Sequence, residues 1–419
     1  MHEFKYKGDE LFCEDVGIGG IAAAVGTPFY LYSYKTLLDH YRKLRDAFQE
    51  INPLVCFSMK SNSSLAVIRA LVKAGSGLDV VSGGELYKAL KIGCDPKKIV
   101  YASVGKTDRE IESAIRAGIL FFNIESLPEL VLIESIASRM GRTVDCALRA
   151  NPDVDPHTHK FITTGKAENK FGLDFRTVEK TFADSVKYPH IRLRGIHVHI
   201  GSQITEAEPF CKALKRVSEL IGAIRKSGGR VDWLNIGGGL GIVYRKEHPQ
   251  TAERFAKAIL PMVRSLRVRL ILEPGRFIVG NSGIMVAKVT YVKKTRSKNF
   301  VIVDAAMNDL LRPSLYEAYH EVLPVIRRPV RGKITADVVG PICESGDVLA
   351  RDRKLPEFRP GELIAVMGAG AYGFTMSSNY NSRPRSAEVM VIHGRFYVVR
   401  EREKYEDLVK GENIPKELK

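Results

Sequence analysis

The sequence predicts an α/β fold, a (β/α)8 TIM-like barrel joined to a C-terminal β-sandwich or β-barrel-like domain. Two observations predict the barrel. Between residues 33 and 276, short β-branched runs alternate with stretches of helical period. Eight such repeats fit the ~250 residues typical of a closed barrel. A third observation predicts the second domain: beyond residue 276, strand-like runs are separated by Gly, Pro and Asn turns. An open doubly wound sheet is the rival to the barrel, but the dinucleotide fingerprint of its first turn is missing.

Residues 1–32 contain the strand-like "TPFYLY" and are assigned to the β domain. The barrel, 33–276, is then an insertion between that segment and the β domain proper, 277–419. Barrel strands are expected near 54–59, 78–81, 99–102, 120–124, 144–150, 194–200, 231–236 and 268–273. Amphipathic stretches such as "SLAVIRALVKAG" and "EAEPFCKALKRVSELIGAIRKSGG" lie between them. Gly75, Gly93, Gly118 and Gly141 fall where helices should end, and a left-handed cap favours glycine. In the β domain, "IMVAKVTYVKKT", "NFVIVDAA", "ELIAVMG" and "AEVMVIHGRFYVVR" read as strands.

The composition bounds the function. The 419 residues are 45% hydrophobic and 27% charged, ordinary globular material with enough length for two cores. "MHEFKYKGDE" has no apolar h-region, so no signal peptide is expected, and no apolar run reaches the ~20 residues of a membrane helix. The net charge of +16 is spread along the chain and mixed with acids, which favours a solvated surface over nucleic-acid binding. Six scattered cysteines form no C-x-x-C pair, so free thiols, a cytoplasmic setting and no metal site are expected.

Catalytic residues of a barrel project from the C-terminal ends of its strands. Lys60 ends the first strand in "VCFSMKSNSS" and is either a solvated rim lysine or a Schiff-base lysine of lowered pKa. "NIGGGLG", Asn235–Gly241, follows the seventh strand and is either a tight turn or an anion cradle, and phosphate sites favour that position. In "GIHVHIGSQ", alternation should put His197 and His199 on one side of the sixth strand. His199, nearest the strand end, suits stacking on a planar cofactor, with Ser202 offering a hydroxyl to phosphate. Glu273, in "ILEPGRF", either pairs with Arg276 or faces a pyridine nitrogen and keeps it protonated. In the β domain, Cys343 and Glu344 share a loop flanked by Pro and Gly, and Tyr372 sits among small residues.

In order along the chain, the motifs are "KSN", "DVVSGGEL", "RANPDVDPHTHKFITTG", "KFGL", "HVHIGSQ", "GGGLGI", "EPGR", "MNDLLRPSLYEAYH", "GPICESGD" and "GAGAYG". As a set they resemble the fold-type III decarboxylases that depend on pyridoxal 5'-phosphate (PLP), over nearly the whole chain. Met59 and Ser61 depart from the residues more usual around the family's lysine. The resemblance implies that Lys60 binds PLP covalently, that His199 stacks on its ring and that Glu273 faces its nitrogen. It implies that Ser202, Gly238, Gly239, the Gly275–Arg276 backbone and Tyr372 hold the phosphate. Arg276, Arg312, Tyr316 and Tyr372 would hold the substrate's distal carboxylate end, Glu344 its distal ammonium, and Cys343 would donate the proton. The implied reaction is decarboxylation of meso-2,6-diaminopimelate to L-lysine, the last step of lysine synthesis, by a homodimer with shared sites.

The alternative is a related decarboxylase acting on ornithine, arginine or carboxynorspermidine. Arg312 argues against it, since a guanidinium repels a distal cation. A racemase of the same fold type would place arginine at the ring nitrogen. A non-catalytic relative would be expected to lose Lys60, the glycine run or Cys343, and all three are present.

Overall fold

The computed structural model describes residues 2–155, 170–328 and 332–419. Residues 156–165 of the "RANPDVDPHTHKFITTG" motif therefore lie outside the described residues. The chain divides into two compact units, Leu37–Val279 and a second made of Met1–Thr36 with Gly280–Lys419.

In the first unit eight parallel strands close into a barrel: Leu54–Ser58, Gly77–Val80, Ile99–Tyr101, Phe121–Ile124, Val144–Arg149, Ile191–His197, Trp233–Asn235 and Arg269–Leu272. The eighth returns to the first, with Ile271 beside Leu54 and Leu272 beside Val55. All eight lie where the sequence pattern places them, with shifted ends. The sixth strand begins at Ile191 because Arg192 points outward between buried Ile191 and Leu193, an alternation that its arginines disguise. It ends at His197, so His199 lies on the loop beyond it and strand alternation does not govern its direction.

The helices follow from spacing. In Glu208–Lys226, Phe210, Ala213, Leu214, Val217, Leu220, Ile221 and Ile224 form one buried stripe. Each fully buried Leu, Ile or Val contributes about 1.5–3 kcal/mol. The helix Asp108–Ala117 starts with a Thr107–Glu110 capping box and stops at Gly118, whose φ of 70° lets its N–H reach the carbonyls of Ala114 and Ile115.

The barrel interior divides by polarity. Cys56, Val100, Phe121, Trp233 and Ile271 form an apolar cluster, with the Phe121 and Trp233 rings edge to face at 5.5 Å. Near the strand ends the buried residues are polar: Ser58, Asp79, Asn123, Arg149, His197, Asn235 and Glu273. Burying so many hydrogen-bonding groups is costly unless they partner one another or a ligand.

The second unit is built on a nine-stranded mixed sheet and a three-stranded antiparallel one. Phe29–Ser33 is buried throughout, antiparallel to Gly283–Lys294 and parallel to Ala387–Ile392. The long strand Gly283–Lys294 pairs through its first half with Phe29–Ser33 and Leu363–Val366, and through its second half with Asn299–Val303. A Cβ at Gly283 would stand 2.6 Å from Gly370 Cα, so only glycine admits this close approach. Phe29, Leu31, Ile284, Val286, Ala365, Val389 and Val391 are the heart of its core. Two further strands, Lys333–Val339 and Val348–Pro356, pair antiparallel where their charged residues had hidden them from the sequence pattern.

Candidate active site

The first barrel strand runs into a 3-10 turn, Met59–Ser61, that carries Lys60. Met59 and Ser61 are buried and anchor the turn, while the Lys60 side chain is 38% exposed. Its Nζ stands 3.8 Å from Asp79 Oδ2, beyond hydrogen-bond range. Ser58 Oγ donates to the same Oδ2 at 2.6 Å, and the buried Asp79 Oδ1 has no hydrogen-bond partner. Burial, then the nearby Glu273 charge, pushes the Asp79 carboxyl up to about 8, against the pull of Lys60.

Glu273 follows the last strand. Its Oε1 accepts from Asn235 Nδ2 at 2.5 Å and from Asn123 Nδ2 at 3.1 Å. Its Oε2 faces His197 Nε2 at 3.4 Å. Burial works to raise this carboxyl, but His197, Lys60 and the Asn235 amide outweigh it and hold the group at about 2. Glu273 is therefore a carboxylate at any ordinary pH. It does not pair with Arg276, the simpler structural possibility: Arg276 donates to Ser202 Oγ from Nε at 3.3 Å and Nη2 at 3.1 Å, and from Nη1 to the Tyr244 hydroxyl at 2.7 Å.

The glycine run lies against these groups. Gly237 N–H donates to Asn235 Oδ1 at 2.9 Å, and Glu273 N–H donates to Gly237 O at 2.8 Å. A Cβ at Gly238 would come within 2.2 Å of Glu273 O, and one at Gly239, where φ is 115°, within 2.6 Å of Gly201 O. At Gly275 a Cβ would meet Ser61 Oγ at 2.9 Å, beside the lysine turn. Half-buried His199 is held well below its ordinary pKa by burial and by the charges of Lys60 and Arg149, so its ring is neutral.

The remaining expected residues belong to the second unit. Arg312 opens a short helix, Arg312–Tyr316, which puts Tyr316 one turn from it. Arg312 is buried and Tyr316 half-buried. Ser314 Oγ donates to Gly346 O at 2.7 Å and ties this helix to the Cys343 loop. Cys343 is exposed, and its backbone N–H donates to Asn381 Oδ1 at 3.0 Å. Asp347 braces the loop by accepting from Ile342 N at 2.8 Å and Met307 N at 2.7 Å. Tyr372 adopts φ 56°, a left-handed conformation uncommon for a non-glycine residue. Among the described residues no group of His, Cys, Asp or Glu could hold a metal ion, and no helix is long and apolar enough to cross a membrane.

The barrel thus brings together Lys60, His199, Ser202, Gly238, Gly239, Glu273, Gly275 and Arg276. Sequence reasoning gave no individual role to Asp79, Asn123, Asn235 or Tyr244, although Asp79 and Asn235 open the "DVVSGGEL" and "NIGGGLG" motifs. The available signal was one polar residue near the end of each of three apolar runs, "GLDV", "FFNI" and "WLN". The barrel set fits PLP. It offers an amine, an ionised carboxylate for a ring nitrogen, a neutral imidazole and a close-packed glycine turn of the kind whose backbone cradles phosphate.

Comparison with known proteins agrees. Residues 35–280 match a family model described as "Pyridoxal-dependent decarboxylase, pyridoxal binding domain". The chain is 44% identical to a diaminopimelate decarboxylase of Aquifex aeolicus, over 97% of this chain and 96% of that one. It resembles the crystal structure of diaminopimelate decarboxylase from Helicobacter pylori complexed with L-lysine, with a TM-score of 0.91, 39% identity, and coverage of 94% and 98% of the two chains. The M. jannaschii diaminopimelate decarboxylase, also in complex with L-lysine, aligns with a TM-score of 0.94 at 36% identity, over 99% of this chain and 98% of that one. At such identities along nearly its whole length, the chain belongs to the diaminopimelate decarboxylase family of pyridoxal-dependent decarboxylases.

Proposed function

We propose that the protein decarboxylates meso-2,6-diaminopimelate to L-lysine and carbon dioxide, with PLP carried on Lys60. The observation that carries the reading is the Lys60 amine at the barrel's C-terminal end, beside Asp79 and in the field of an ionised Glu273. PLP, once bound, supplies an electron sink for the carbon from which carbon dioxide departs. Glu273, held as a carboxylate by His197, Lys60 and the Asn235 amide, would keep a proton on the ring nitrogen. Neutral His199 would stack on the ring without repelling that proton. The Gly238–Gly239 backbone, Gly275 and the Ser202 hydroxyl, oriented by Arg276, would hold the phosphate.

Arg312 and Tyr316 bind the substrate's distal carboxylate. A planar guanidinium matches that group better than an ammonium does. Glu344 takes the distal ammonium and Cys343 returns a proton to the substrate carbon. The working form is a cytoplasmic homodimer in which each barrel receives the partner subunit's Cys343 and the partner's Glu344. Six free cysteines support a reducing compartment.

The test is an assay of purified, PLP-loaded protein for lysine and carbon dioxide. Stoichiometric release of both from meso-diaminopimelate, with none from ornithine or arginine, is expected. Efficient turnover of either diamine precursor would overturn the substrate assignment.

A further inference from the structure

We infer that His320 is a positioning residue that aims the Arg312 guanidinium and so sets the enzyme's affinity for a substrate with a distal carboxylate. The inference rests on the reading that Arg312 binds that carboxylate.

His320 closes the "MNDLLRPSLYEAYH" motif and is fully buried. Its two ring nitrogens face opposite partners. Nε2 lies 2.8 Å from Arg312 Nη1, and Nδ1 lies 2.8 Å from the carbonyl oxygen of Met367. A guanidinium has only donors and stays charged, so Nε2 must be the acceptor. A carbonyl only accepts, so Nδ1 must carry the proton. One neutral tautomer satisfies both contacts. A second proton on the ring would set N–H against N–H at Arg312.

The anchor beneath the ring is stiff. Met367 N–H donates to Glu321 O at 2.8 Å, and the adjoining strand Leu363–Val366 pairs with Val322–Pro324. The helix Arg312–Tyr316 stops at Glu317, where φ is 52°, and the chain reverses so that residues eight apart in sequence meet. His320 therefore transmits the position of a sheet strand to the guanidinium. As a neutral acceptor it orients Arg312 without cancelling its charge, which a carboxylate in its place would do. A pre-aimed guanidinium loses less freedom when it grips a planar anion, and that advantage belongs to binding.

Two near-isosteres separate the two contacts. In His320→Gln the amide oxygen takes the place of Nε2 and keeps the acceptor for Arg312. In His320→Asn the amide nitrogen takes the place of Nδ1, keeping the Met367 contact and losing the acceptor. With PLP-loaded enzymes, His320→Asn should raise KM for meso-diaminopimelate about tenfold, the scale of one lost hydrogen bond to a charged group, with kcat within about threefold. His320→Gln should have a KM at least about threefold below that of the Asn variant. Equal KM values for the two variants, or a loss confined to kcat, would overturn the inference. Arg312→Met is the control. If it leaves KM unchanged, the reading of Arg312 fails. If it raises KM while His320→Asn does not, only the role of His320 fails. Nitrogen NMR of histidine-labelled wild-type protein, with the His320 signals identified by their loss in the Gln variant, gives a readout independent of the kinetics. A neutral ring protonated at Nδ1 is expected at neutral pH, and an Nε2–H or doubly protonated ring would contradict the geometry.

Discussion

Asn235 donates from Nδ2 to Glu273 Oε1 at 2.5 Å while its Oδ1 accepts from the Gly237 amide at 2.9 Å. One side chain thus fixes the spacing between Glu273, proposed to face the ring nitrogen, and the glycine turn, proposed to hold the phosphate. Asn235→Ala should weaken PLP binding about tenfold or more, the scale of a lost buried hydrogen bond to a charged group. Absorbance titration of the apo-protein measures it. An unchanged Kd would show that the turn and the carboxylate hold their places independently.

Glu273 is ionised and its Oε1 has two amide donors, so its role should be electrostatic rather than steric. Glu273→Gln should lower kcat by about 10²–10³-fold, the range for losing one preorganised stabiliser of a transition state. KM should change little, the mark of an interaction felt mainly in the transition state. Steady-state kinetics on meso-diaminopimelate check this, and an unaltered kcat would count against the role.

Asp79 should cost the apo-protein stability at higher pH. Burial and the Glu273 charge raise its carboxyl from 3.8 to about 8. Between those values the folded state keeps a proton that the unfolded state has released, so stability falls as pH rises through that window. An asparagine has no such loss. The Tm of apo Asp79→Asn should therefore gain on wild type between about pH 5 and pH 8, by roughly 4 °C or more at the upper end, on a scale of about 2–4 °C per kcal/mol. Thermal melts across that range would show a pH-independent difference if Asp79 were not raised.

A shared site predicts complementation. Lys60→Ala and Cys343→Ala homodimers should each be nearly inactive. Subunit exchange should form heterodimers in which one site carries both lesions and the other neither. Random exchange makes half the dimers heterodimers, so the mixture should regain roughly a quarter of wild-type activity, from the two-fold symmetry of an isologous dimer. No recovery despite proven exchange would place Cys343 in the same chain as the Lys60 it serves.

The barrel was legible because most of its strands are short runs rich in apolar residues and the helices between them carry stripes of fixed period, although the arginines of Ile191–His197 disguise where that strand begins. Lys60 and the glycine run were legible because a lysine at a strand end and three successive glycines are unusual wherever they occur. Asp79, Asn123 and Asn235 were not. Each is a single polar residue in a short run, and only closure of the barrel brings Asn123 and Asn235 onto one oxygen of Glu273. Tyr244 was hidden for a similar reason, since it meets Arg276 across 32 positions of chain without a local pattern to mark it. In the second unit, the strand Val348–Pro356 carries four charged side chains that mimic a loop. His320 stood in a quoted motif, yet its role depends on a carbonyl 47 residues away.

The most direct measurement concerns Lys60. Borohydride reduction of the PLP-loaded protein, followed by peptide mapping, locates the lysine that carries the cofactor. A stable pyridoxyl group on the peptide containing Lys60 is expected. A label on any other lysine, or none on protein saturated with PLP, would contradict it.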